Sequence, residues 1–213
     1  MKILAVEFST EQRSIAVLDG EKLLGHAVEA GGRNVISLVE RALQSASCER
    51  EDIECLAIGI GPGSYTGIRG AIALAQGWQL GRAIKTIGIS TVECLAAQAQ
   101  QEKIHGDINV VVDAQRNEFY LARYQITAKE RTEIEPLRLA SFAEIEKLAQ
   151  SGALVLGPEL TKWFPSAKNL YPEAATLGQL VAGRADFLSA DKIEPIYLRE
   201  TSFKKAAPPR TVL

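Results

Sequence analysis

The chain has 213 residues, 24 basic and 26 acidic, for a formal net charge of −2, and so carries no global basic field for nucleic acid. Apolar residues at 46% and charged residues at 23% are ordinary globular usage, which excludes a disordered, collagen-like or low-complexity chain. The length supports a sizeable core in one to two domains.

Residues 2–8 (KILAVEF) read as a buried strand, followed by strands at 14–19 and 22–29 joined through Asp19-Gly20, a strong hairpin signal. The spacing of Val35, Leu38, Val39, Ala42, Leu43 and Ala46 predicts an amphipathic helix over 34–46. A buried strand at 54–60 runs into the corner GPGSYTG and a second helix over 66–82. Strand 83–89, helix 91–102 and strand 107–113 follow. The second half reads as strands at 118–127 and 133–140, a helix N-capped by Ser141 through 150, a short strand at 153–157 and a last helix near 174–184. The tail FKKAAPPRTVL is Pro-rich and basic and is expected to be mobile and solvated.

The three cysteines, Cys48, Cys55 and Cys94, form no C-x-x-C pair, and their odd number argues against a disulfide framework. With only His26 and His105 beside them, neither a His/Cys metal site nor a catalytic triad is expected. The start MKILAVEFSTEQ turns polar too early for a signal peptide, and no apolar run reaches membrane-spanning length. The expected compartment is a reducing cytoplasm, with no membrane partner.

An internal repeat points to the architecture. Strand ILAVE ends in Glu7 and a polar turn leads to Ile15-Ala16; strand NVVVD ends in Asp113 and a polar turn leads to Leu121-Ala122, both at an offset of 106 residues. The expectation is a duplicated α/β domain with a cleft between the halves, an N-terminal domain at 1–104, a C-terminal domain at 105–202 and a tail at 203–213.

In the corner, Gly61 and Gly63 permit unusual backbone and Ser64 or Thr66 can cap the helix start. A structural strand-to-helix corner and an anion cradle both fit; a Walker A loop does not, because no Lys-Ser/Thr follows. The 66–82 helix has no charge between Arg69 and Arg82. Ile68, Ala71, Ile72 and Ala75 make one face; Gly70, Ala73, Gly77 and Gly81 make another, which lets a neighbouring helix approach closely. Either the helix is a central core element, or one face packs on its own sheet and the other on a partner. Glu7 and Asp113 end the repeated strands where α/β folds bind ligands. Their turns, Phe8 to Arg13 and Ala114 to Asn117, lack the glycines that let backbone approach phosphate, so the cleft reads as one without efficient nucleotide binding.

The stretches ILAVEFSTEQRSIAVLDG, GIGPGSYTGIRGAIALAQGWQLG, GISTVECLA, VVVDAQRNEFYLARY and PIYLR, in this order over almost the whole chain, resemble the TsaB (YeaZ) family. The resemblance implies the ASKHA (actin, sugar-kinase, Hsp70) fold of duplicated ribonuclease-H-like domains. It implies a non-catalytic subunit, without metal or cofactor of its own, that binds the sister protein TsaD. With the small ATPase TsaE it would support threonylcarbamoyl transfer to the adenosine beside the anticodon of tRNAs reading codons that begin with A. TsaD holds the catalytic metal, nucleotide enters only at the interface with TsaD, and tRNA is met indirectly through the complex. Carried onto this chain, the family's contact falls on the helices at 34–46 and 66–82, with Val35, Leu38, Val39, Ala42, Arg69, Ile72, Ala73 and Gly77 at or beside the surface. The same surface would pair two copies of the isolated chain. Glu7, Gly61, Gly63, Ser64 and Asp113 would line a vestigial ligand cleft. Glu7 stands where the family more often has Asp, Gly31-Gly32-Arg33 replaces a common histidine, and Asp113-Ala114-Gln115 replaces D-A-R. The competing reading is an ATP-dependent phosphotransferase of the sugar-kinase type, resting on Glu7 and Asp113. A peptidase has no metal-ligand cluster or nucleophile–base pair behind it.

Overall fold

The computed structural model describes residues 1–31 and 34–198. The basic tail residues Lys204, Lys205 and Arg210, and Gly32 and Arg33, lie outside them.

The first half builds strands β1 (Lys2–Glu7), β2 (Gln12–Asp19) and β3 (Lys22–Ala30), helix α1 (Val35–Ser45), strand β4 (Cys55–Gly59), helix α2 (Tyr65–Gly81), strand β5 (Lys85–Ile89) and helix α3 (Thr91–Gln101). The second half adds β6 (Gly106–Asp113), β7 (Glu118–Ile126), β8 (Arg131–Ser141), α4 (Phe142–Gln150), β9 (Leu154–Gly157), the two-residue β10 (Lys168–Asn169) and α5 (Ala174–Gln179). Two sheets result, ordered β3-β2-β1-β4-β5 and β10-β9-β6-β7-β8. Each is an antiparallel three-strand meander whose first strand also pairs in parallel with a fourth, and that with a fifth. The same order twice is the duplicated ribonuclease-H-like arrangement of the ASKHA fold.

The repeat is real but slips by one residue in its return. Glu7 pairs with Ser14 and Asp113 with Phe119, so the second turn is one residue shorter than the first. Ile15 faces Val6, whereas Leu121 faces Val111, the counterpart of Ala5. The strand-end carboxylates keep the 106-residue offset, and the match of Ile15 with Leu121 is corrected to Ala16 with Leu121. The shorter turn closes through Gln115, Arg116 and Asn117, all in the left-handed region at φ 62, 58 and 61, where non-glycine residues are uncommon.

Local chemistry sets the helix ends. The Asn34 side chain accepts from Ser37 N–H and starts α1, Ser64 accepts from Gly67 N–H at the head of α2, and Ser141 accepts from Glu144 N–H at the head of α4. The last helix stops at Gln179 rather than 184. Residues 180–183 continue as turns, and Gly183 reverses the chain at φ +76. Strand β10 is too short to leave a sequence pattern.

Alternating strand residues feed four apolar layers. Leu4, Val6, Ile15, Leu56 and Ile58 pack under α1 and α2, while Ile3, Ala5, Ala57, Ile87 and Ile89 face α5 and Cys94 of α3. Ile108, Val110 and Val112 pack on α3, and Val111, Phe119, Leu121 and Val155 face α4. Burial of each Val, Leu, Ile or Phe side chain among them stabilises by about 1.5–3 kcal/mol. α3 belongs to the first half of the sequence yet lies on the second sheet, and α5 belongs to the second half yet lies on the first. A strap over 187–198 then crosses α2. Leu188 N–H donates to Thr86 O at 2.8 Å, Ala190 N–H to Gln79 Oε1 at 2.8 Å, and Ile196 N–H to Ile60 O at 2.9 Å.

Candidate functional site

Two concavities contain some of the residues singled out from the sequence. The first is a cleft of about 540 Å³ between the sheets. One wall comes from the turn after β1 (Ser9, Thr10, Glu11) and the head of α2 (Gly63, Ser64, Tyr65); the other comes from the end of β6 (Asp113, Ala114, Gln115). Asp113 Oδ1 accepts from Gln115 N–H at 2.7 Å, and Glu7 Oε1 accepts from Ser9 N–H at 2.7 Å. The repeat thus reproduces a side-chain-to-backbone bond two residues on, in both halves.

The two carboxylates differ in access. Asp113 lines the cleft, but Glu7 is 0% exposed, beneath Ser9 and against Gly59. Burial pushes its carboxyl up to about 7, and the hydrogen bond from Ser9 offsets this only in part. Glu7 is therefore corrected from a cleft ligand to a sealed group: its own hairpin turn closes over it. Gly61 is likewise buried off the cleft, where a Cβ would run into Ile68 Cδ1, while Gly63 and Ser64 line the cleft.

The glycine corner is filled by the protein itself. Ser64 N–H donates to Ser9 O at 2.6 Å. A Cβ on Gly63 would overlap the Ser9 carbonyl oxygen, and one on Gly67 the Phe8 carbonyl oxygen. These glycines admit neighbouring backbone rather than a phosphate. The lining charge agrees: Glu11, Asp113 and Glu159 face the cleft with one lysine, Lys162, which is bonded to Glu159 Oε2 at 2.8 Å and lies 3.9 Å from the Trp163 ring centre. Three carboxylates and one engaged ammonium repel a polyphosphate.

The second concavity is an apolar groove of about 480 Å³ between α1 and α2, lined by Ile36, Val39, Ala73, Leu74, Gly77 and Trp78, with Arg50, Glu51 and Arg82 at one end. α2 divides into faces. Ile68, Ala71, Ile72 and Ala75 are buried on the sheet. Arg69, Gln76 and Gln79 engage the strap; the Arg69 guanidinium lies 4.6 Å from the Tyr65 ring centre and its Nε donates to Tyr197 Oη at 3.3 Å, while Tyr65 and Tyr197 stack at 5.7 Å. Opposite the sheet, Ala73 and Gly77 are exposed, and a Cβ built on Gly70, Gly77 or Gly81 meets nothing within 4 Å. Leu80 is 91% exposed and Ile36 51%.

The surface placing of Leu38, Ala42 and Ile72 is corrected. All three are buried in the layer under α1 and α2, because the stripe that makes α1 amphipathic faces its own sheet; Val39 belongs to the same layer and also lines the groove. Val35 is half-buried; Arg69, Ala73 and Gly77 are exposed. Sequence reading missed Ile36, whose signal was an apolar residue off the α1 stripe, and the Tyr65–Tyr197 stack, which joins residues too far apart in sequence to signal each other. Among the described residues no helix is long and apolar enough to cross a membrane.

A family model described as TsaD, tRNA N6-adenosine threonylcarbamoyltransferase, matches residues 27–190. The chain is 31% identical to the tRNA threonylcarbamoyladenosine biosynthesis protein TsaB of Haemophilus influenzae, with 96% of this chain and 97% of that protein covered. It is 33% identical to the protein of the same description from Escherichia coli over 128 residues, 59% of this chain; that match spans about half (55%) of the relative. YeaZ from Pseudomonas aeruginosa superposes with a TM-score of 0.77 over 92% of this chain and 99% of that one, at 23% identity, a likeness of fold.

Proposed function

From the premise that the chain belongs to the TsaB (YeaZ) family, we propose that it is a cytoplasmic, non-catalytic subunit of tRNA threonylcarbamoyladenosine biosynthesis that offers α1 and α2 to TsaD. Its role is to hold TsaD, with TsaE, in the assembly that modifies the adenosine beside the anticodon; tRNA is met through the complex. The observation that carries this reading is the outer face of α2. Glycine inside a helix costs about 1 kcal/mol relative to alanine, and Gly70 and Gly77 stand where a Cβ has open space. Nothing inside the described chain requires a glycine there, whereas a helix laid against Ala73 and Gly77 at close range does. Ile36 and the groove beside Leu74 and Trp78 supply the apolar area. In the absence of TsaD the same face pairs two copies of the chain.

The test is direct. Ala73→Arg and Gly77→Arg place a long charged side chain on the open face without touching the core. Each variant is expected to keep the native circular dichroism and to lose co-purification with TsaD. Folded variants that still bind TsaD like the parent overturn the surface assigned here.

The phosphotransferase reading fares poorly on geometry. Its two carboxylates are not a pair in the cleft, since Glu7 is sealed, and the corner that would cradle phosphate holds the Phe8 and Ser9 carbonyls. Calorimetry of the isolated chain with Mg-ATP is expected to give no heat of binding; micromolar affinity would restore that reading.

A further inference from the structure

Glu7 is a buried acid with no part in the docking role. Its Oε1 holds the Ser9 N–H, and its Oε2 has no partner. Gly59, opposite on β4, is a glycine in whose Cβ position the carboxyl sits, with Glu7 Cδ 2.8 Å from that point. On the same side of the sheet, the head of α3 brings two more buried oxygens without partners, Ser90 Oγ and Thr91 Oγ1. Buried polar atoms are nearly always paired, and each exception calls for a cause.

Among the described residues no cation answers this carboxyl. From α3 it faces Cys94, whose thiol is pushed well up by burial and by Glu7 itself. Glu93 and Glu173 are the other charged groups of that seam. Arg184 is tied to Glu93 at 3.2 Å and Asp186 at 2.7 Å, and Arg13 on β2 lies over the Phe8 ring. From β2 the facing group is Ser14, whose Oγ accepts from Ala174 N–H at 2.9 Å. An ionised Glu7 thus has acids and hydroxyls around it and water excluded. Ser9 and Thr10, the residues of its own turn, line the open cleft.

We propose that Glu7 is a proton-operated latch on the turn that closes over it: the turn packs on the glycine corner while the carboxyl carries a proton, and lifts from that corner to hydrate it once the proton is lost. The mechanical link is a short relay. Glu7 Oε1 accepts from Ser9 N–H, Ser9 O accepts from Ser64 N–H, and Ser64 Oγ accepts from Gly67 N–H at 3.3 Å in the first turn of α2. Ionisation therefore loosens the head of α2 and the mouth of the cleft together. With the closed carboxyl titrating near 7 and an open one near its ordinary 4.5, the opening equilibrium rises between those values and levels off above the higher one.

The test is amide hydrogen exchange of the purified chain at pH 5, 6, 7 and 8, with rates corrected for the intrinsic pH dependence of exchange. Ser64 and Gly67 are expected to lose protection by roughly fifty- to a hundredfold from pH 5 to pH 8 and, because they open locally, to be less protected at every pH than amides of β7 in the second sheet, which wait for global opening. Glu7→Gln, which keeps the shape and cannot ionise, is expected to abolish the pH dependence. Should that variant fail to fold, the carboxyl carbon resonance of Glu7 in the parent takes its place. Its titration midpoint is expected to coincide with that of the Ser64 exchange profile. Protection at Ser64 and Gly67 that is flat with pH, or that equals the protection of β7 at each pH, overturns the latch, as does a Glu7→Gln variant with the parent's profile. The readout is independent of TsaD, so loss of the docking surface and loss of the latch are distinguishable.

Discussion

Two glycines of one helix should respond to the same substitution with opposite signs. Gly67 and Gly77 both lie within α2, so alanine at either gains about 1 kcal/mol of helix propensity. At Gly77 the new methyl enters open space; the expected result is a stabilisation near that full value. At Gly67 it would stand 3.0 Å from the Phe8 carbonyl carbon, closer still to its oxygen, and 3.2 Å from Ser64 Oγ. The obstacle is backbone of a turn pinned by the Ser64–Ser9 hydrogen bond, so it does not rotate away like a side chain. Overpacking of this kind costs about 1–3 kcal/mol or more and outweighs the propensity gain. Urea unfolding of the two single variants, with unchanged slope, reads both effects; a difference of about 1 kcal/mol shifts the melting temperature by ~2–4 °C for a chain of this size. If Gly77→Ala destabilises the chain at concentrations too low for self-association, the outer face of α2 is not open within a single copy. If Gly67→Ala stabilises as Gly77→Ala does, the turn does not sit on the corner. Gly77→Ala carries a second signature: a more stable chain that binds TsaD less well, because the methyl occupies the space kept for the partner.

Glu7→Gln tests the sealed acid thermodynamically. A folded carboxyl near 7 against an ordinary 4.5 means stability is full below pH 4.5 and falls as pH rises through 7. Unfolding titrations should show the parent losing up to about 3 kcal/mol over that window, and Glu7→Gln staying level. Ser141→Ala removes the cap on Glu144 N–H and should cost ~1 kcal/mol in urea unfolding. Arg138 bonds both Glu135 and Glu144, yet its side chain is 40% exposed. Arg138→Ala should cost no more than about 1 kcal/mol, less at high salt.

Much of the fold was legible because β1, β4 and β6 are continuous apolar runs and α1 keeps a strict helical stripe. Their boundaries fall within two residues of the sequence reading. The duplication was visible through Glu7 and Asp113, but its one-residue slip was not, since apolar residues at both Ile15 and Ala16 satisfy either alignment. The candidate site was half legible. Small residues at 70, 73, 77 and 81 marked a face, and the structure shows which side of α2 it occupies. For α1 the same pattern was read outward when it faces inward, because an apolar stripe states that a face is covered without naming the cover. The fate of Glu7 was illegible for a related cause. A carboxylate at a strand end looks alike whether a glycine-rich loop leaves it open or a serine-threonine turn shuts over it; the deciding contacts, at Gly59 and Gly63, join distant segments.

The interchange of α3 and α5 between the sheets bears on how such a chain came to be and how it comes apart. Cleavage at 104/105 would sever two similar modules on paper, yet each fragment would carry away a wall of the other and leave its own sheet bare on one side. The two halves have become hostages to one another, so a single melting transition, rather than two, is the thermal record this architecture should leave.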